Sequence, residues 1–377
     1  MSTNHLRNGD ALPRTHTTID ATDPASGKDT TAAAPDPAQR IEAGIAELIA
    51  ASGATNQKDL VRRIIRTGLG LGGDGARRLD AKIAAAAIEE MRTAFNLFAP
   101  YSGVRKATVF GSARTQRDDP LWNAAENVAA TLASHDWMVV TGAGPGIMEA
   151  AATGAGVQNS LGVSIRLPFE EQPNQLITGD ERSVSMKYFF TRKLMLVKES
   201  SAFICLPGGF GTLDETFELL TLQQTGKSEP VPIVLLDRPG GTFWRGFEEF
   251  VRKDIEAYGM ITPGDLDRVL ITDSAEAAGA EIARFWRNYD SLRWVGDRLV
   301  LRLRHTPTDA EVADLSQRFA GLTHEDGAIA RTEPLPAEVR DEDRLDLPRI
   351  VLRPSRRAVG ELHRIIRALA DLPSAQG

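Results

Sequence analysis

One cysteine, Cys205, is all that the 377-residue chain contains. That excludes an intramolecular disulfide and a thiolate metal cluster. Cys205 lies in the apolar run Ala202-Phe203-Ile204-Cys205-Leu206 and reads as a buried core thiol rather than a nucleophile. No uninterrupted apolar run approaches the roughly 20 residues that span a bilayer. The N-terminal stretch MSTNHLRNGD leads into no apolar h-region, so no secretory signal is visible. A soluble, cytoplasmic protein with no membrane partner is the expectation. Positive charge is not in excess either: Lys and Arg number 44 against 51 Asp and Glu, a net charge of −7. A chain held to nucleic acid by its overall field carries the opposite sign, so no nucleic-acid partner is expected. Residues 1–37 are poor in large hydrophobes and rich in Thr, Ala, Asp, Pro and Ser. Such a stretch cannot offset its ordering entropy by burial and reads as disordered.

From residue 38 the pattern becomes helical. Ile41, Ile45, Leu48 and Ile49 recur at helical spacing behind the entry signal Asp36-Pro37. Leu60, Val61, Ile64 and Ile65 predict a second helix, ended by Gly68, Gly70, Gly72 and Gly73. A third is expected from about Ala76 to Phe98, with Pro100 marking its end. Residues 38–103 therefore form a helical N-terminal region.

Residues 104–290 read differently. Short apolar runs end in glycine-rich turns and are followed by helical patterns. The runs are Ala107–Phe110, Trp137–Val140, Leu161–Ile165, Ala202–Leu206 and Val231–Leu236. This alternation predicts an α/β fold, a doubly wound parallel sheet covered on both faces. Ligands of such sheets bind at the carboxyl ends of the strands, where these glycines fall. Residues 294–377 form a separate composition block. Leu299–Leu303 and Ile350–Leu352 read as strands, Ala310–Phe319 and Val359–Leu369 as helices, with a charged, proline-bearing stretch at 333–346. The expectation is a small C-terminal α+β domain without a catalytic constellation. It is regulatory or oligomerising, or else covers apolar surface on the main domain.

Two glycine loops carry the chemistry. Gly142-Ala143-Gly144-Pro145-Gly146 joins a strand to a helix and continues as Ile147-Met148-Glu149. Glycines there let backbone N–H groups approach a phosphate at a helix N-terminus, although a plain tight turn needs glycines too. The dinucleotide fingerprint would place its third glycine at Ile147, and Arg166 rather than an acid ends the next strand, which argues against NAD. The second loop, Pro207-Gly208-Gly209-Phe210-Gly211-Thr212, lacks a P-loop lysine, so triphosphate transfer is disfavoured. Asp214 and Glu215 follow in the first helical turn. Both complement a helix dipole, and Glu215 is also placed to face a bound ribose. Arg192-Lys193 lies between the loops. Taken alone the pair suits a solvated surface; between two phosphate loops, Arg192 is a candidate for anchoring or polarising substrate.

In succession these segments resemble the Lonely Guy family, long mislabelled as lysine decarboxylases. The resemblance runs from about Val104 to Tyr289. The hallmark P-G-G-x-G-T-x-x-E is complete as Pro207–Glu215, with Arg192-Lys193 upstream. Phe110-Gly111-Ser112-Ala113-Arg114, Gly144 to Ala151, and Leu167-Pro168-Phe169-Glu170 with Pro173-Asn174 are similar to the longer, bacterial branch. Ala143 stands where glycine is usual, tolerable if its φ is negative.

The resemblance implies a Rossmann-like fold that hydrolyses a nucleoside 5′-monophosphate to free base and ribose 5-phosphate. It implies Arg192 and Glu215 as the catalytic pair. Substrate contacts are expected from Gly111, Ser112, Gly142, Gly144, Gly146, Glu149, Asn174, Lys193, Gly208, Gly209, Gly211 and Thr212. Cleaving an N-glycosidic bond develops oxocarbenium character, which a carboxylate can stabilise. No metal or organic cofactor is needed, and nothing resembles a pyridoxal-phosphate lysine in its usual setting. The preferred base stays open among cytokinin-type, AMP, GMP and pyrimidine monophosphates. The alternative is a non-catalytic nucleotide-binding or carrier protein; a pure binder needs the glycines but not Glu215. A homodimer or larger oligomer is also expected. Family members pair, and the helix bearing Phe189, Phe190, Leu194, Met195 and Leu196 is more apolar than one buried stripe requires.

Overall fold

The computed structural model describes residues 36–166, 181–323, 328–354 and 361–376. The chain divides into two compact units, Met1–Ala81 and Lys82–Gly377. In the first, α1 (Pro37–Ala51) starts with proline at its first position, where a missing N–H costs nothing. It buries Ile45 and Ile49. Helix α2 (Lys58–Gly73) packs on it, and Arg66 donates to Glu42 at 2.7 Å. The helix ends at Gly73, the last of the four glycines expected to close it. A helical glycine costs about 1 kcal/mol relative to alanine but removes no hydrogen bond, and α2 runs on to Gly73.

Helix α3 (Arg78–Phe98) leads into the second unit, where it buries Ala87, Glu90, Ala94 and Leu97 along one stripe. The chain then alternates. The elements are β1 (Lys106–Phe110), α4 (Pro120–Ala133), β2 (Met138–Thr141), α5 (Ile147–Ala155), β3 (Ser160–Ile165), β4 (Ser183–Met186), α6 (Phe189–Lys198), β5 (Ala202–Cys205), α7 (Phe210–Thr225), β6 (Ile233–Leu236), α8 (Phe243–Phe250), β7 (Val269–Thr272) and α9 (Ala275–Phe285). Among the described residues the sheet has seven strands in the order β4-β3-β2-β1-β5-β6-β7. Every pairing in it is parallel. The expected doubly wound sheet is therefore present. Its central strands are apolar because both faces are covered. Phe110 and Phe203, adjacent on β1 and β5, stack with centroids 6.4 Å apart. Burial of such a side chain contributes about 1.5–3 kcal/mol.

From β1 the chain winds outward to β4, then returns to β5 and winds the other way to β7. The reversal lies between β1 and β5. The loops after these two strands diverge there and open a crevice at their carboxyl ends.

A second sheet, order β10-β11-β9-β8, is antiparallel. It comprises β8 (Tyr289–Val295), β9 (Arg298–Leu303), β10 (Ala330–Arg331) and β11 (Arg349–Leu352), with α10 (Asp309–Arg318), α11 (Pro336–Arg340) and α12 (Glu361–Ala370). Its apolar residues Leu299, Leu301, Leu303 and Ile350 join the same continuous core as the parallel sheet. His363 on α12 is buried, which pushes its imidazole down to about 3. The ring is therefore neutral, and its Nε2 donates to the Val231 carbonyl at 3.1 Å. The charged stretch 333–346 is not merely solvated. It forms α11 and sends Glu338, fully buried, between Arg302 and Arg349, both at 2.8 Å. Among the described residues no helix is long and apolar enough to cross a membrane.

Candidate active site

The crevice between β1 and β5 holds a cavity of about 770 Å³. Its walls come from 110–114 after β1, from 208–215 after β5, and from Met148, Phe189 and Arg192. Gly111, Ser112, Gly208, Gly209, Gly211, Thr212, Arg192 and Glu215 are thus brought together. The two loops touch, the Ser112 amide donating to the Pro207 carbonyl at 3.2 Å.

The two glycine loops do different work. At the start of α5, Gly146 adopts φ +68°, and a Cβ there would sit 2.4 Å from the Ser112 carbonyl oxygen. That carbonyl accepts the Ile147 amide at 3.0 Å, so the first amide of α5 is taken by protein. A Cβ on Gly142 would lie 2.4 Å from Arg192 Nη2, so that glycine makes room for the arginine. Gly144 is covered by the Met148 side chain. Gly142, Gly144 and Gly146 are not among the residues lining the cavity; they buttress it. Ala143 has φ +55°, so the condition under which alanine would replace glycine without strain is not met, while its amide donates to Thr141 Oγ1 at 3.1 Å.

Helix α7 begins at the cavity with Gly209 as its N-cap, and no side chain caps it. Helix geometry leaves the first amides, those of Phe210, Gly211 and Thr212, without intrahelical partners. Nothing lies within 4 Å of a Cβ built on Gly209 or Gly211, so the backbone there is open to an incoming group. The positive end of the helix dipole adds to these donors, the arrangement that suits a phosphate.

Arg192 and Glu215 face one another on the cavity wall, Nη1 to Oε1 at 3.1 Å, with side chains 11% and 7% exposed. Arg192 is further held by its Nε donating to the Val163 carbonyl at 2.9 Å. Burial pushes the Glu215 carboxyl above the usual carboxylate range, and Arg192 opposes that shift without cancelling it. Lys193 points to other partners. Its ammonium bridges Asp214 and Glu218, both at 2.8 Å, and ties α6 to α7 beside the cavity. Glu149 also lies off the cavity, paired with Arg117 at 2.6 Å. Asn174 lies outside the described residues.

One buried acid escaped the motifs. Glu90 on α3 accepts from the Lys187 amide at 2.6 Å and from Thr191 Oγ1 at 2.6 Å, at the start of the helix that bears Arg192. A signal existed, because Glu90 falls on the stripe of α3 shared by Ala87, Ala94 and Leu97. An acid on a buried stripe needs partners.

A glycine-lined crevice at the reversal point of a parallel sheet, with an arginine–carboxylate pair in its wall, stands where doubly wound α/β proteins bind their ligands. Residues 146–282 match the family model described as "Possible lysine decarboxylase". The cytokinin riboside 5′-monophosphate phosphoribohydrolase LOG3 of Arabidopsis thaliana is 30% identical over 168 residues, 43% of this chain and 74% of that protein. The cytokinin riboside 5′-monophosphate phosphoribohydrolase of Mycobacterium tuberculosis is 30% identical over 158 residues, 41% of this chain and 81% of its own length. Among solved structures, a molybdenum cofactor binding protein from the phototrophic bacterium Rippkaea orientalis is 21% identical, covering 46% of this chain and 93% of its own, with a TM-score of 0.33. The chain belongs to the cytokinin riboside 5′-monophosphate phosphoribohydrolase family, the Lonely Guy family.

Proposed function

We propose that this chain hydrolyses the N-glycosidic bond of a nucleoside 5′-monophosphate, releasing free base and ribose 5-phosphate. The observation that carries the reading is the buried Arg192–Glu215 pair in the wall of a cavity whose other side is the open N-terminus of α7. The 5′-phosphate binds the amides of 209–212 and the Thr212 hydroxyl. The sugar then lies along the first turn of α7, within reach of Glu215. The base rests among the apolar side chains of Phe110, Met148 and Phe189.

As the C1′–N bond breaks, its electron pair leaves with the base, and positive charge develops on the ribose. The Glu215 carboxylate stabilises that charge and takes a proton from the water that adds to C1′. The departing base takes up a proton from solvent. Arg192, always charged, orients Glu215 and the substrate rather than transferring a proton. Gly142, Gly144, Gly146 and Lys193 act indirectly, by fixing Arg192 and α6.

The relatives' names suggest cytokinin riboside monophosphates, and AMP shares their adenine and phosphate. Release of free base across a panel of cytokinin riboside, adenosine, guanosine and cytidine 5′-monophosphates tests the reading and ranks the bases. No base from any of them would refute it.

The active form is a homodimer or larger. Phe189 and Phe210 line the cavity and are exposed, Phe210 at 92%, and Phe190 and Leu194 on α6 are exposed as well. An apolar rim of this kind marks an interface. Light scattering at assay concentration checks this; an active monomer would refute it.

A further inference from the structure

We infer that Glu90 is a positioning residue, which sets Arg192 by anchoring the entry to α6 and the Thr191 side chain from a different helix. Helix α6 has ten residues, and its own N-cap, Tyr188, makes no side-chain cap. A helix that short loses its first turn readily unless its leading N–H groups find acceptors. Glu90 holds the two residues that lead into α6, the second of them the N-cap, and one side chain of its first turn. Its carboxylate accepts from the amides of Lys187, at 2.6 Å, and Tyr188, at 3.4 Å. The same carboxylate takes the Thr191 hydroxyl at 2.6 Å. Arg166, at the end of β3, stands 3.7 Å away. A carboxylate only 7% exposed needs such partners, and the buried Thr191 hydroxyl needs an acceptor, so each satisfies the other.

The consequence reaches the cavity in one residue. Thr191, fully buried, is followed by Arg192 in the first turn of α6. From there Arg192 must reach both the Val163 carbonyl and Glu215, at 2.9 and 3.1 Å. If the first turn frays, these two contacts cannot both be kept. Glu90 touches nothing in the cavity, so its role runs through Arg192. In kinetic terms the inference rests on the hydrolase reading above, although the structural link does not.

The test is a double-mutant cycle on AMP turnover with wild type, Glu90→Ala, Glu90→Gln, Arg192→Ala and the Glu90→Ala/Arg192→Ala double variant. Displacing a positioned group by about 1 Å can cost roughly 10²-fold, so kcat of Glu90→Ala should fall by about 10- to 100-fold, more than KM changes. Glu90→Gln keeps one acceptor oxygen and should recover part of the loss. The double variant should be no slower than Arg192→Ala alone, because both changes remove one function. A folded Glu90→Ala with near-wild-type kcat, or losses that multiply in the double variant, overturns the inference. Should Glu90→Ala fail to fold, Thr191→Val carries the same expectation at smaller amplitude. Amide hydrogen exchange over residues 187–195 reads the link without turnover. Faster exchange there in the Glu90 variants, with α7 unchanged, supports it, and unchanged exchange overturns it. A wild type that releases no base refutes the hydrolase reading alone.

Discussion

Replacing Glu215 by glutamine isolates charge from shape at the proposed centre. The side chain keeps its size and an oxygen able to accept from Arg192 Nη1, now 3.1 Å from Oε1. The fold should tolerate the change, because burial already works against the carboxylate, raising its pKa despite Arg192. The transition state should not. A unit charge about 4 Å from developing positive charge interacts by about 4 kcal/mol at an effective dielectric of about 20. Only part of a unit charge develops, so a loss of about 3 kcal/mol, on the order of 10²-fold in kcat, is the working figure. AMP affinity should change little, since the proposed phosphate site is the backbone of 209–212 rather than Glu215. The assay is adenine release at saturating AMP by chromatography, with AMP binding to the variant followed by calorimetry. A folded variant with kcat within a few fold of wild type would refute the role given to Glu215.

Other expectations follow from the same geometry. Because Glu215 must be ionised and its carboxyl is raised above 4.5, the acid limb of kcat/KM should titrate above that value, and flat activity down to pH 4.5 would contradict it. AMP should be cleaved and adenosine ignored, since the open amides of α7 have little to bind in a neutral nucleoside; comparable kcat/KM values would show that the loop serves another purpose. Ala143→Gly should leave stability unchanged or raise it by about 1 kcal/mol in chemical denaturation, since Ala143 holds φ +55°; a clear destabilisation would show that the alanine methyl matters more than the strain. Glu338→Ala should cost about 3–5 kcal/mol by leaving Arg302 and Arg349 buried without their shared carboxylate; a loss under about 1 kcal/mol would show the cluster to be solvated.

The strands legible in the sequence were those buried on both faces. Ala107–Phe110, Trp137–Val140, Leu161–Ile165 and Ala202–Leu206 are largely apolar runs closed by turns, and each holds a strand of the parallel sheet. Edge strands carry a weaker signal. β4, Ser183–Met186, alternates polar with apolar residues and offers no apolar run, so it is not among the strands expected from the sequence. β8, Tyr289–Val295, bridges the break drawn between 290 and 294, and its partner β9 follows across a two-residue turn that includes Gly296 at φ +65°. At the site, motif spacing located both glycine loops but not the difference between them. The first amide of α5 is taken by the Ser112 carbonyl, 35 residues from Ile147, and only the tertiary fold brings those two together at 3.0 Å. The same holds for Glu90, whose partners lie about 100 residues further along the chain.

The central claim is hydrolysis, and the most direct measurement is the stoichiometry of products from a nucleoside 5′-monophosphate. Wild-type protein incubated with AMP in metal-free buffer should yield adenine and ribose 5-phosphate in equal amounts, and Arg192→Ala and Glu215→Gln should yield neither at a comparable rate. Bound but intact AMP after prolonged incubation, with no free base from any other monophosphate, would contradict the account and leave a nucleotide-binding protein in its place.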